Sequence, residues 1–177
     1  MKYLAPLALL VSLSFSIAAQ TKSAPSSISK YNFAAVSMDG TKLDTAALRG
    51  KVLVVNLWFT NCPNCIEEIK KLNQLVNDYH DNKDVVFIAL AASRRADVEK
   101  FLKKNPFNYV VVPDATGIIL SKFGTPDKKG EINVPFPMHF VVDRDGNAVV
   151  QTQGIKGVDA VRKELSSQFS NKMGVVK

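Results

Sequence analysis

The only two cysteines of the chain, Cys62 and Cys65, are separated by Pro63 and Asn64. That spacing suits thiol–disulfide exchange, in which one thiol attacks a foreign disulfide and the second resolves the mixed product. The pair follows the apolar run Val52-Leu53-Val54-Val55-Asn56-Leu57-Trp58-Phe59 and opens a segment of helical period. At a helix start, the dipole and the unpaired backbone N–H groups lower the pKa of the first thiol. An inert staple is the poorer reading, because a bridge across two residues closes too small a loop to stabilise much. A structural zinc site fails on ligand count: it needs four ligands, and only His80 and His139 could add soft nitrogens. His80 falls at the end of the first helix, away from Cys62, whereas His139 lies near the expected active-site edge.

The elements that position these thiols alternate between strand and helix. Residues 31–37 and 42–48 flank Asp39-Gly40 and predict an N-terminal hairpin. The run from Val52 to Phe59 reads as a central strand buried on both faces. Cys65, Ile69, Leu72, Val76 and Tyr79 recur at helical spacing behind it. Val85 to Ala91 predicts a second buried strand, and Ser93 a cap for a helix bearing Val98, Phe101 and Leu102. A short strand at 109–112 and a short helix at 115–123 follow. Residues 137–142 and 148–153 flank Asp145-Gly146 as a second hairpin, and Val158, Val161, Leu165 and Phe169 line a last helix.

The start of the chain predicts export. Met1 and Lys2 precede an apolar, serine-broken stretch from Leu4 to Ile17, then Ala18 and Ala19. This is the pattern of a secretory signal cleaved near Ala19, and it is short for a membrane span of about 20 residues. Cleavage leaves a soluble periplasmic or otherwise extracytoplasmic protein with no integral span; an uncleaved start would serve as an N-terminal membrane anchor. The whole chain carries a formal charge of +7. Its basic residues occur as scattered pairs such as Lys70-Lys71 and Lys103-Lys104, with no interleaved aromatics, so no nucleic-acid partner is expected. Solvated helix faces explain them better, and a preference for acidic partners or an anionic membrane surface stays open.

Together, Gly50-Lys51-Val52 leading into Asn56-Leu57-Trp58, the cysteine pair, and Pro137-Met138-His139-Phe140-Val141-Val142-Asp143 with Asp145-Gly146 resemble the thioredoxin superfamily. The likeness is specifically to its extracytoplasmic TlpA/ResA-like branch, over roughly residues 33–169. The resemblance implies an α/β thioredoxin-like fold: a central mixed sheet flanked by helices, with an N-terminal hairpin and a central insertion near 93–112. It divides the chain into a signal peptide (1–19), a flexible leader (20–30), a thioredoxin-like domain (31–170) and a C-terminal tail (171–177).

The resemblance also assigns roles. Cys62 would be the attacking thiolate, the more exposed of the two, and Cys65 the buried resolving thiol, forming a redox-active disulfide without metal or other cofactor. Pro137 matches the family proline whose preceding bond is cis and which faces the cysteines. Glu68, three residues after Cys65, matches a glutamate of ResA-like proteins; it is either a base or pKa tuner for the resolving thiol or an ordinary exposed helix residue. Asn56 stands where many thioredoxins place an acid, and an amide cannot take a proton. Trp58 packs under the site or simply fills the core. Asn61 replaces the tryptophan usual before the first cysteine, and residues 125–136 are longer than the family's stretch and expected to border the cysteines.

The implied activity is reduction of protein disulfides in the periplasm, with cytochrome c maturation one family role. Substrates would be protein thiols and disulfides, and an outside donor, a membrane thiol reductase, would recharge the pair. Two alternatives stay open: a peroxiredoxin-like peroxidase, suggested by Thr60-Asn61-Cys62-Pro63, and a non-catalytic copper-carrying or binding module on the same fold.

Overall fold

A computed structural model describes residues 29–170. The expected signal peptide and the tail at 171–177 lie outside the described residues. Ser29, in the stretch expected as leader, is buried, and its hydroxyl donates to the Gly146 carbonyl.

The described residues form nine strands and four α-helices. Strands β1 (Ala34–Val36) and β2 (Lys42–Asp44) form the N-terminal hairpin, and a 3-10 turn (Thr45–Leu48) follows. Asp39 shapes the hairpin turn by accepting from the Thr41 N–H at 3.0 Å, with Gly40 at φ 86°. The hairpin is shorter than the sequence suggests because Asp44 turns its carboxylate onto the Ala46 N–H and starts the 3-10 turn.

The main sheet has the order β5-β4-β3-β8-β9. Strand β3 (Val52–Trp58) is buried at all seven positions, with β4 (Val85–Ala91) parallel on one side and β8 (Met138–Val142) antiparallel on the other. Strand β5 (Val110–Val112) runs parallel to β4, and β9 (Ala148–Gln153) antiparallel to β8. A strand buried on both faces must be apolar throughout, and only Asn56 breaks that rule in β3.

Each face of the sheet holds its own core. Helix α1 (Pro63–Asp78) turns Cys65, Glu68, Ile69, Leu72 and Leu75 inward, and α4 (Gly157–Ser170) adds Val158, Val161, Leu165 and Phe169. These pack with Val52, Val54, Trp58 and Val141. On the other face Leu53, Val55, Leu57, Phe140 and Val142 meet Phe33, Ile119 and Phe123. The latter two belong to a π-helical turn (Ile119–Phe123) that extends α3 (Thr116–Ile118).

Helix α2 (Arg95–Leu102) fills the central insertion and buries Val98. Its N-terminus is not capped by Ser93 as expected. Asp114 accepts from the Arg95 N–H at 3.3 Å, while Ser93 spends its hydroxyl on Thr60. Residues 125–136 contain a small hairpin of β6 (Thr125–Pro126) and β7 (Ile132–Asn133), closed by Asp127 accepting from the Lys129 and Glu131 N–H groups. Among the described residues, no helix is long and apolar enough to cross a membrane.

Candidate active site

Strand β3 ends at Trp58, and a four-residue turn delivers the chain to α1. Cys62 is the N-cap of that helix, in extended conformation, with Pro63 in the first turn where its missing N–H costs nothing. The Cys62 Sγ accepts the Cys65 N–H at 3.1 Å, so the sulfur takes the place of the usual hydroxyl or carboxylate cap. The sulfurs of Cys62 and Cys65 are joined in a disulfide, with Cα atoms 5.2 Å apart.

The turn is held from three sides. The Cys62 N–H donates to the Phe59 carbonyl at 3.2 Å, Thr60 N–H donates to Ser93 Oγ at 2.9 Å, and Ala92 N–H donates to the Trp58 carbonyl at 2.9 Å. The Thr60 hydroxyl, on which a peroxidase reading leans, also faces Ser93 at 3.1 Å. Cys62 is 4% exposed and Cys65 1%. Their order is the expected one, but both are enclosed in the oxidised state, and the exposed neighbours are Asn61, Pro63 and Asn64. Trp58 belongs to the same core as both cysteines and packs its ring at a tilt against Phe101 and edge to face against Phe107, centroids 5.1 and 5.6 Å apart.

The Phe136–Pro137 bond is cis. Pairing of Leu57 with Met138 puts Pro137 one position before the start of β8, at the end of β3 that leads to Cys62. Phe136 meets Phe59 edge to face, with ring centroids 5.3 Å apart, and Phe59 is the residue whose carbonyl holds the Cys62 N–H. Of the stretch 125–136, this final residue makes the described contact with the cysteine turn.

Beneath the disulfide lies a closed polar cluster. Asn56, Glu68 and His139 are 1%, 0% and 0% exposed. Glu68 is therefore not the exposed helix residue that the sequence left open. Asn56 Nδ2 donates to Glu68 Oε1 at 3.0 Å and approaches His139 Nδ1 at 3.3 Å. His139 Nε2 lies 3.3 Å from Glu68 Oε2, without the alignment of a full hydrogen bond. Tyr109 sits close enough to feel this charge: burial first, and then the Glu68 carboxylate, push its hydroxyl well above the ordinary phenol range. The sequence placed His139 near the site but did not join it to Glu68. Strand parity carried that signal: Asn56 and His139 are directly paired, and both alternate onto the α1 face of the sheet.

Beside the cysteine turn, a cleft of about 680 Å³ is lined by Thr60 and Asn61 on one wall and Arg94, Lys100 and Lys104 on the other. Asp97, also in the lining, is paired with Arg94 at 3.0 Å. Among the described residues, no three His, Cys, Asp or Glu side chains converge to hold a metal ion.

The chain is similar to several known proteins. It is 29% identical over 124 residues to the thiol-disulfide oxidoreductase ResA of Bacillus thuringiensis, covering 70% of this chain and 66% of that one. The chain thus spans just under two thirds of this relative's length. It is 32% identical over 122 residues to the soluble secreted antigen MPT53 of Mycobacterium tuberculosis, covering 67% of each. Among solved structures, a thioredoxin-family thiol:disulfide interchange protein of Chlorobium tepidum superposes with a TM-score of 0.61 at 26% identity, over 75% of this chain and 92% of that one. The Redoxin family profile matches residues 19–165, and with this sheet order and these relatives the chain belongs to the Redoxin family, as a thioredoxin-fold, ResA-like member.

Proposed function

We propose that this protein is an extracytoplasmic thiol–disulfide oxidoreductase that reduces disulfides in other proteins. The observation that carries the reading is the Cys62–Cys65 disulfide at the start of α1, with Cys62 Sγ in the capping position. In the reduced protein the same N–H and the helix dipole favour a thiolate on Cys62 over a thiol. That thiolate attacks a substrate disulfide and expels one substrate thiolate. Cys65 then attacks Cys62, closes the internal disulfide and releases the second substrate sulfur. Each turnover moves two electrons to the substrate, so an outside thiol donor must re-reduce the pair.

Pro137, at the strand end facing the turn, offers a backbone edge for the substrate chain. The adjacent cleft, with Arg94, Lys100 and Lys104, favours partners that bring acidic residues. Glu68, one helical turn below Cys65, is the acceptor for the resolving proton. The export pattern at residues 1–19 supports action outside the cytosol, as does the likeness to a secreted antigen. Apocytochrome c is one substrate class consistent with the ResA likeness.

Insulin reduction driven by a small dithiol tests the reading. Cys62→Ser abolishes activity, whereas Cys65→Ser accumulates mixed disulfides that peptide mapping places on Cys62. Adducts mainly on Cys65 would reverse the roles, and full activity in both variants would overturn the reading.

A further inference from the structure

Glu68 is a buried carboxylate whose two oxygens meet different partners. Oε1 accepts from Asn56, and Oε2 faces His139 Nε2. Asn56 Nδ2 carries two protons, one aimed at Glu68 Oε1 and the other at His139 Nδ1. A nitrogen that accepts from an amide carries no proton, so in this arrangement the imidazole proton is on Nε2, toward Glu68. The Asn56 Oδ1 is buried and has no partner. A buried carbonyl without a donor is costly, and in a native core it calls for an explanation.

One more proton would change this balance. Added at His139 Nδ1, it turns the acceptor that faces Asn56 Nδ2 into a donor. Nδ2 then opposes it, and a turn of the amide that leaves Nδ2 on Glu68 Oε1 brings Oδ1 to the ring instead. The group that is unpartnered now is the one the protonated cluster needs. We propose that Asn56, Glu68 and His139 form a one-proton store beneath the disulfide, in which the Glu68–His139 pair holds the proton lost by Cys65 and Asn56 turns its amide to fit either state.

This rests on the exchange reaction proposed above. The Cys65 thiol gives its proton to the store, and the thiolate attacks Cys62 Sγ. The Cys62–substrate bond breaks as the Cys62–Cys65 bond forms, and the substrate sulfur leaves with the electron pair. Charge is conserved, because the Glu68–His139 pair gains one positive charge as the thiolate appears. When Cys65 is next reduced, the proton returns to it.

The surroundings leave the store few other partners. Opposite His139 on β9 is Thr152, which does not ionise near neutral pH. The start of α4 closes the third side at Gly157, where an added Cβ would come within 3.0 Å of His139 Cδ2 and 2.9 Å of Thr152. The glycine lets the helix press on the ring and fix its plane. Tyr109 faces Glu68 from the edge of β5 and stays neutral. Below the cysteines, Glu68 and His139 are the ionisable side chains in mutual contact. His139 does not touch the reacting sulfurs and acts as a positioning residue through Glu68.

Ellman's reagent, a small aromatic disulfide, reads both steps in one stopped-flow trace. Attack by Cys62 releases one coloured thiolate, and resolution by Cys65 releases the second. His139→Gln keeps an N–H donor toward Glu68 but holds no extra proton. The expected result is an unchanged first phase, with a second phase about tenfold slower near neutral pH, which is about 1.4 kcal/mol on the barrier. The second phase should recover as pH rises and solvent takes the proton. Overlapping second-phase profiles for wild type and variant would overturn the store while leaving the exchange reaction in place. Absence of the first phase in wild type would instead remove the exchange reading itself. The wild-type protein supplies an independent arm through ring-nitrogen NMR. In the reduced state, the His139 nitrogen shifts should change across the same pH step as the Cys65 Cβ, and nitrogens that stay fixed through that step would also overturn the store.

Discussion

Glu68 Oε1 and Asn56 Nδ2 lie 3.0 Å apart in a wholly buried contact between α1 and the central strand, one helical turn below Cys65. A charge in this position is screened less by water than one at the surface, so it acts more strongly on the neighbouring sulfur. Glu68→Gln removes the charge and keeps the shape. The thiol titration of the reduced pair should move to lower pH, because a carboxylate disfavours an adjacent thiolate. Release of a mixed disulfide should nevertheless slow, on the order of 10²-fold, because no acceptor remains for the proton. Thiolate absorbance and stopped-flow reduction measure the two effects separately. Superimposable titrations with unchanged rates would show that Glu68 has no part in the chemistry.

Phe136 connects the cis-proline strand to the cysteine turn through the ring of Phe59. Phe136→Ala deletes a half-buried ring that packs against both cores. The expected loss is about 2 kcal/mol of stability, less than for a fully buried phenylalanine. Because Phe59 also holds the Cys62 N–H, amide exchange at Cys62 should quicken more than global stability predicts. Urea unfolding with hydrogen-exchange NMR checks both. Equal protection losses at Cys62 and in β4 would show that Phe136 supports only the core.

The central strand, the helix that follows Cys62 and the second hairpin were legible because each leaves a local mark. Val52 to Trp58 is continuously apolar, Cys62-Pro63 has the form of a helix start, and Asp145-Gly146 marks a hairpin. Ser93 misled because a hydroxyl before a helix looks like a cap, yet a partner distant in sequence, Thr60, outbid the local N–H. The small hairpin within 125–136 lacks an apolar alternation, and its turn is set by the single carboxylate of Asp127. The Glu68–His139 contact joins residues 71 positions apart. Only the register of β3 against β8 reveals it, and no short window of sequence contains that register.

Asp78, near the end of α1, pairs with Arg162 of α4 and ties the two helices together. The Arg162 hydrogen bond, with a smaller contribution from Gln74, holds the Asp78 carboxyl below its ordinary value. A folded-state pKa below the unfolded one contributes stability above the unfolded value, and that contribution is lost as pH falls through the folded value. The urea midpoint of Asp78→Asn should therefore lie below that of wild type near about pH 7, and the gap should close below about pH 3. The site is exposed, so added salt should narrow the gap as well. A gap that is constant from neutral to acid pH would mean that the charge contributes nothing.

Tyr109 offers the opposite sign at the alkaline end. Its ring packs between Phe87 and Phe107, with centroids 5.2 and 4.8 Å away, and its buried hydroxyl has no hydrogen-bond partner. Burial, reinforced by the Glu68 charge, favours the neutral phenol. A folded-state pKa above the unfolded one gives stability that is complete below the unfolded value, about 10 for a phenol, and falls as pH rises past it. Wild type should therefore lose stability more steeply than Tyr109→Phe above about pH 10. Near neutral pH the variant should be at least as stable, since it sheds an unpartnered hydroxyl and keeps the ring. Tyrosinate absorbance of wild type should show a delayed component that appears only with unfolding, and Tyr109→Phe should lack it. Glu68→Gln should bring that component to lower pH, because it removes the charge that opposes a second anion. Ionisation of every tyrosine in a single step ahead of unfolding would place Tyr109 in contact with water and remove it from the neighbourhood of Glu68.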